Sequence, residues 1–352
     1  MLRAILIALL ISGCGKKESP ASYRKVDVHA HFGPASVPRL IELMDRHGID
    51  VVVNLSGGSA GRGLEEQLEA ARAHPGRILV FANLEWRYPM LGPGYGQAMA
   101  ADLRRSKQLG AVGLKIPKGL GIGFVDHERK LIAVDEPELD PVFEAAGELG
   151  LPVAIHTGDP VAFWSPPTAD NERFAELGAH PGWSFYGQPV PSWEELFAAL
   201  ERRIARHPNT IFIAVHFGNA PEYPDRVASL LDKYPNLYID TAARIPEIGR
   251  HNPDHMRALV VKYQDRILFG TDLGVGTKSR FDLMLGSTGD KALTQGDVDH
   301  FFASSWRYLE TSDKGFAHPT PIQGDWTIDG IGLPRAVLRK VYGDNARHIL
   351  GL

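Results

Sequence analysis

A single cysteine, Cys14, stands in a chain of 352 residues. That excludes an internal disulfide framework and a thiolate-rich metal centre, so with 14 histidines present the metal chemistry open to the chain is nitrogen and oxygen based. Positive charge is also short, because 38 Lys and Arg face 42 Asp and Glu for a formal net charge of −4. No broad basic face is offered to a phosphate backbone, which argues against a dedicated nucleic-acid binder. The sustained apolar run at the amino terminus, Ala4 to Ile11, is shorter than the roughly 20 residues of a membrane-spanning helix. A dinucleotide turn is missing too. The glycines of Gly119-Leu-Gly-Ile-Gly follow the fourth strand-like run without the Gly-x-Gly-x-x-Gly spacing, and they read as loop. With 44% hydrophobic and 23% charged residues, disorder and collagen-like order are excluded.

What is present begins with an address. Met1 to Cys14 reads MLRAILIALLISGC, with one positive charge at Arg3, a short apolar run, then small residues before the cysteine. This is a signal-peptide layout. Ile11-Ser12-Gly13-Cys14 resembles the bacterial lipobox, which implies lipidation of Cys14 and a chain anchored in the bacterial cell envelope, at the periplasm or cell surface. Gly15 to Ser22, rich in Lys, Ser and Pro, reads as a flexible tether. The expected division is residues 1–22 as signal and tether and 23–352 as one catalytic domain.

From Tyr23 onward, short runs rich in Val and Ile alternate with helix-period segments. Eight runs stand out: Lys25–Val28, Val51–Asn54, Ile78–Asn83, Ala111–Lys115, Val153–His156, Ile211–His216, Leu237–Asp240 and Ile267–Phe269. They lack clean alternation, as parallel strands buried on both faces do. Eight β/α units predict an α/β fold closed as a (β/α)8 TIM barrel. Two connections are unusually long: Thr157 to about Ser192, with Phe163, Trp164, Trp183, Phe185 and Tyr186, and the stretch after Asp272, with Trp306, Tyr308 and Trp326. Both follow strands, so in a barrel they lie on the face where active sites form, as lids or pocket walls.

The histidines and aspartates fall at the strand ends. In Asp27-Val-His29-Ala-His31 a repeat of two sends both imidazoles to one side. His156 ends the fifth run, His216 ends the sixth, and Asp272 follows the eighth in Ile-Leu-Phe-Gly-Thr-Asp. A lone histidine at a strand end is more often structural than a ligand, but in a closed barrel these four placements converge over one mouth. Three imidazoles and a carboxylate suit a divalent metal, Zn²⁺ first and other first-row ions by the same chemistry. Of the remaining histidines only His180, in the first long connection, is expected near the pocket.

The set His29-x-His31, His156, His216 and Asp272 resembles the amidohydrolase superfamily, in its branch called amidohydrolase family 2, over roughly Val26 to Leu352. The closing Gly343-Asp-Asn345-Ala-Arg-His-Ile-Leu-Gly-Leu is similar to that family's ending and reads as a structural helix. The resemblance implies His29, His31, His156 and Asp272 as metal ligands, and His216 as the residue that polarises substrate or water and shuttles a proton. Asp272 would accept a proton from the metal-activated water and return it to the leaving group. Otherwise Asp272 is a helix N-cap. Lys115, at the end of the fourth run, has three readings: a carboxylated bridge between two metals, a cation for a substrate carboxylate, or half of a structural ion pair. Asn54, Glu85 and Arg87 sit near the ends of strands two and three, where substrate contacts would lie.

The expected activity is hydrolysis of an amide, ester or lactone bond of a small molecule. Non-oxidative decarboxylation of an aromatic or enolic acid is the alternative, and a metal-free lactonase or a tethered solute-binding lipoprotein are further readings. One metal ion is expected, with a second if Lys115 is carboxylated; an oligomer is compatible with the chain.

Overall fold

A computed structural model describes residues 23–277, 283–289 and 292–352. Residues 1–22, expected to be signal segment and tether and including Cys14, lie outside the described residues. Among those described, no helix is long and apolar enough to cross a membrane.

The strands are β1 (Lys25–Phe32), β2 (Ile49–Asn54), β3 (Ile78–Asn83), β4 (Gly113–Ile116), β5 (Val153–Ile155), β6 (Phe212–Ala214), β7 (Leu237–Asp240), β8 (Ile267–Leu268), β9 (Leu273–Val275), β10 (Leu283–Leu285), β11 (Phe316–Ala317) and β12 (Thr327–Ile328). β1 to β8 pair in chain order, all parallel, and β9 pairs with the far side of β1. The ring closes there, since the Val28 N–H donates to the Phe269 carbonyl at 3.0 Å and Ala30 lies opposite Leu273. The expected eighth strand is therefore two short pieces, β8 and β9, broken at Phe269 to Asp272. β10 adds to β9 as an antiparallel hairpin. The fold is the expected α/β barrel.

Helices return the chain between strands. Val37–His47, Leu64–Arg72, Tyr95–Leu109 and Asp140–Glu148 follow β1 to β4, and Trp193–Arg206, Pro224–Lys233 and Pro253–Lys262 follow β5 to β7. Gln295–Glu310 follows the closing hairpin. Their boundaries obey local chemistry: Ser192 caps Trp193–Arg206 in a reciprocal capping box with Glu195, and Asn252 caps Pro253–Lys262 through two backbone N–H groups. One apolar cluster fills the lumen, where Val51, Val53, Phe81, Ala154, Ile213 and Leu268 alternate inward from their strands. Ala346 and Ile349, on the closing helix Asn345–Leu350, join that cluster and plug the amino-terminal end of the barrel. Asn345 holds the plug by donating to the Gln264 and Ile267 carbonyls at 2.7 and 2.8 Å. This is the structural role expected for the chain ending.

The first long connection is not irregular throughout. It contains a short helix, Phe174–Ala179, and two single 3-10 turns, Val161–Trp164 and Pro181–Trp183. In the second, Trp306 and Tyr308 belong to the helix Gln295–Glu310 and pack in the core, so they are not loop aromatics.

Candidate active site

Backbone strain marks the carboxyl ends of the strands. Of the six described non-glycine residues at positive φ, five (His216, Phe217, Asn219, Ala243 and Asp272) follow β6, β7 and β8. A left-handed backbone costs an ordinary residue about 1 kcal/mol or more, and such strain concentrates where a site must be aimed. Gly270 serves the same end by lacking a side chain: a Cβ there would meet the Cβ of His29 at 3.1 Å and that of Ala242 at 3.3 Å.

At φ 62°, Asp272 turns its carboxylate toward β1, and its own N–H donates to the His29 carbonyl at 2.8 Å. Its Oδ1 stands 3.3 Å from Nε2 of both His29 and His31. The shared face expected for the two imidazoles is what places them there. The register of β1 against β2 breaks between Asp27 and Ala30, and across that bulge Val28 joins the lumen core while His29 also points into the mouth. Asp27 turns instead to Thr271, accepting from its N–H at 3.0 Å and its hydroxyl at 2.6 Å, and so clamps β1 to the broken eighth strand. His216 lies 4.8 Å from His29 and 4.3 Å from His156, ring centre to ring centre. The structure thus brings the predicted set together at one mouth, in the order His31, His29, His216, His156.

Partners on the far ring nitrogens fix the tautomers. His29 Nδ1 lies 2.8 Å from Asp240 Oδ2, and His216 Nδ1 lies 2.9 Å from the Ala242 carbonyl. Carboxylate and carbonyl oxygens only accept, so both Nδ1 atoms carry the proton and each Nε2 offers a lone pair. His31 Nδ1 meets the Ser56 hydroxyl at 2.7 Å. Burial pushes the His31 imidazole below its ordinary value against the pull of Asp272. His156 and His216 are pushed well below theirs, first by burial, then by His216 and Lys115 for His156 and by Arg244 and His29 for His216. For His29, burial and Lys115 act downward, but Asp240 and Asp272 outweigh them and the net direction is up. Burial alone would raise the Asp272 carboxyl, yet His29 and His31 hold it well below the carboxylate range.

Three buried atoms here have no hydrogen-bond partner: Nε2 of His29, Nε2 of His156 and Nζ of Lys115. Each such atom costs about 1–3 kcal/mol if nothing answers it. Imidazole nitrogens converging with an ionised carboxylate are what a divalent cation takes up, so the residues present fit one. The donor atoms of His29, His31 and Asp272 all lie within 4.8 Å of one another, as do those of His29, His216 and Asp240. The second trio shares His29, whose Nδ1 Asp240 already engages, so it orients that ring. His156 belongs to neither trio and reaches them through the His216 ring.

The amidohydrolase profile matches residues 26–352. The chain belongs to the amidohydrolase family. Solved structures give the same fold. 2,6-Dihydroxybenzoate decarboxylase from Rhizobium is 18% identical with a TM-score of 0.53, covering 94% of this chain and 99% of its own. 5-Carboxyvanillate decarboxylase from Sphingomonas paucimobilis is 16% identical with a TM-score of 0.52, covering 94% and 99%. A protein from Acinetobacter baumannii assigned as a 2-pyrone-4,6-dicarboxylic acid hydrolase is 12% identical with a TM-score of 0.50, covering 94% and 100%. A comparison with curated proteins gave no match.

Other expected residues of this amidohydrolase fare differently. Lys115 is buried at 3% exposure, and burial takes its ammonium down to about 8 against the pull of Asp240 and Asp272. Asn54 is fully buried and donates to the Phe32 carbonyl and to Gln67, both at 3.0 Å, tying β2 to the end of β1 and to the helix that follows. Glu85 pairs with Arg62 at 2.8 Å and Arg87 at 3.5 Å on the rim, apart from the imidazoles. His180 stacks on Trp183 and sets its Nε2 2.7 Å from the Thr288 carbonyl, fastening the long connection to the closing hairpin. Trp183 in turn faces Lys118, whose partner Asp159 approaches His156 at 3.9 Å.

Sequence reasoning missed Asp240, which accepts from His29 and, at 2.7 Å, from the His216 N–H. The signal was there, since Asp240 ends the seventh run as His156 and His216 end theirs. It also missed Arg244, four residues on, and the fully buried Arg173, which pairs with Glu176 within the first long connection at 2.8 Å and joins that connection to Glu247.

Proposed function

We propose that the protein is a metal-dependent hydrolase that cleaves an amide, ester or lactone bond of a small molecule. The observation that carries this reading is the convergence of Asp272 Oδ1 on the two imidazoles of β1, with buried Nε2 atoms left unanswered around it. His29, His31, His156 and Asp272 would hold the ion, Zn²⁺ by donor chemistry. When bound, such a cation supplies Lewis acidity, polarising a carbonyl and bringing the pKa of a water to about 7.

The chain's residues supply the rest. Asp272, ionised and aimed by its left-handed backbone, accepts the proton of the attacking water and delivers it to the leaving group. His216 is neutral with Nδ1–H committed to the Ala242 carbonyl, so its Nε2 accepts a proton; it does not donate to an oxyanion in this tautomer. The donor role toward a developing oxyanion or a substrate carboxylate falls to the Lys115 ammonium. Arg173 and His180 tie the first long connection to Glu247 and to the Thr288 carbonyl.

Decarboxylation is kept as a second reading because Lys115, buried and unanswered beside Asp272, also fits a reacting carboxylate. Turnover in ¹⁸O-labelled water separates the two: label in the product is expected, whereas CO₂ release without label would replace hydrolysis by decarboxylation. The lipid anchor on Cys14 and the envelope location belong to the same proposal, as do a small-molecule substrate and no nucleic-acid partner. An N-terminal acyl group found by mass spectrometry of membrane-extracted protein is expected.

A further inference from the structure

The amino-terminal end of the barrel, opposite the imidazoles, carries a cluster of positive charge. The closing helix Asn345–Leu350 turns Ala346 and Ile349 into the core and carries Arg347 beside them. With Arg24, Arg335 and Arg339, Arg347 lines a cavity of about 570 Å³, and Tyr23 adds a wall where the chain enters β1. Four guanidinium groups stand around this hollow against one carboxylate, Asp344.

The gathering is built into the chain. Arg335 and Arg339 share a helix face at a spacing of four. At 3.6 residues per turn Arg347, twelve residues beyond Arg335, would lie about 120° round from it. The wide turn Lys340–Asp344, with its hydrogen bonds five residues apart, takes up an extra residue and brings Arg347 back toward the same side. Gly343 in that turn lets Arg24 in, since a Cβ there would overlap the Arg24 carbonyl oxygen and would stand 3.8 Å from Arg347 Nε.

The charge is not balanced from within. Asp344 is engaged by Arg339 at 2.8 Å. Glu310, close enough to act on Tyr23 and Lys25, accepts from the Tyr342 hydroxyl at 2.8 Å. Among the described residues Arg24 and Arg347 form no ion pair, and Nε and Nη2 of Arg347 are buried without a hydrogen-bond partner. A guanidinium drawn partly out of water without a counter-charge is costly, and the like charges around it add repulsion. An anion with several acceptor oxygens relieves both, and phosphate matches the guanidinium fork in geometry.

We propose that this cavity binds a phosphate group, carried by a phospholipid headgroup or by a free phosphate compound. The site is independent of the hydrolase reading. Only the lipid source rests on anchoring at Cys14, which would hold Tyr23 within about 30 Å of the bilayer through nine residues of extended chain.

Calorimetry on the full chain at about 0.15 M salt, where attraction between exposed charges is screened, tests it with inorganic phosphate and with monomeric dihexanoyl phosphatidylglycerol. Dihexanoyl phosphatidylcholine is the zwitterionic control. Saturable binding of an anionic probe is expected, weakened about tenfold or more by Arg347→Gln and by Arg24→Gln separately, and by less in Arg347→Lys. Phosphatidylglycerol bound more tightly than both phosphate and phosphatidylcholine supports the site with a headgroup as its source; inorganic phosphate bound at least as tightly supports it with a free phosphate compound. Arg24 is exposed, so Arg24→Gln tests the site even where Arg347→Gln lowers the unfolding temperature. No saturable binding of either anionic probe, or binding that survives both glutamine substitutions unchanged, would overturn the assignment. Metal content should be the same in all of these chains, because the imidazoles lie at the other end of the barrel; metal absent from every preparation removes the hydrolase reading and leaves this site standing.

Discussion

The two ends of the barrel are made from the same eight strands and follow opposite rules. At the amino-terminal end Ala346 and Ile349 close the lumen with apolar side chains, and Asn345 satisfies the two carbonyls it meets. At the carboxyl end the strands stop on His, Asp and Lys, the backbone turns left-handed at Asp272, Ala243 and His216, and buried polar atoms, among them Nε2 of His29 and His156 and Nζ of Lys115, are left without partners. One end contributes stability; the other spends it to aim lone pairs at a common point.

If that division is right, substitutions at the two ends separate cleanly in what they disturb. The largest effect is expected from Asp272→Ala, which should lower turnover about a thousandfold or more and reduce bound metal while the fold is retained, because the N–H of residue 272 still donates to the His29 carbonyl. Turnover, metal analysis and thermal unfolding on one preparation check this. At the opposite end, Ile349→Ala should cost about 2–4 kcal/mol in urea unfolding while metal content per folded chain stays the same. Asp240→Asn lies between, since the side chain still fits but its amide cannot accept from His29 and the His216 N–H together. Metal affinity should fall about 10- to 100-fold in competition with a chelator.

The smallest effect sharpens the comparison through pH. Lys115 stands at about 8 in the folded chain against 10.5 as its ordinary value. The unfolded chain therefore holds more protons between these values, and stability rises with pH across that window. The unfavourable contribution is fully present below about 8 and is relieved above 10.5. Lys115→Met in metal-free protein should be more stable than wild type by about 1–3 kcal/mol at pH 7, with the gap closing toward pH 10.5. A constant gap across pH would show that the ammonium is already paired.

Much of the barrel could be read before any coordinates, because buried parallel strands announce themselves as short Val and Ile runs; β3 and β7 have the expected bounds. The breaks were not readable. Nothing local in Ile267 to Val275 shows that the eighth strand is interrupted so that Asp272 can point back at β1, since that geometry depends on the clamp between Asp27 and Thr271 across the sheet. At the site, residues whose chemistry lies in strand-end position were identifiable: His29, His31, His156, His216 and Asp272. Those defined by whom they touch were not. Asn54 stands at a strand end but bonds the end of β1 and the following helix, whereas Arg244 gave no signal because its place depends on a left-handed alanine.

The strand ends are proposed to form one metal centre on His29, His31, His156 and Asp272. Elemental mass spectrometry of the purified protein beside Asp272→Ala tests it most directly. One equivalent of a divalent transition metal per chain, lost in the variant, is the predicted result. A fold that stays intact without metal, and takes none up on reconstitution with Zn²⁺, would contradict it.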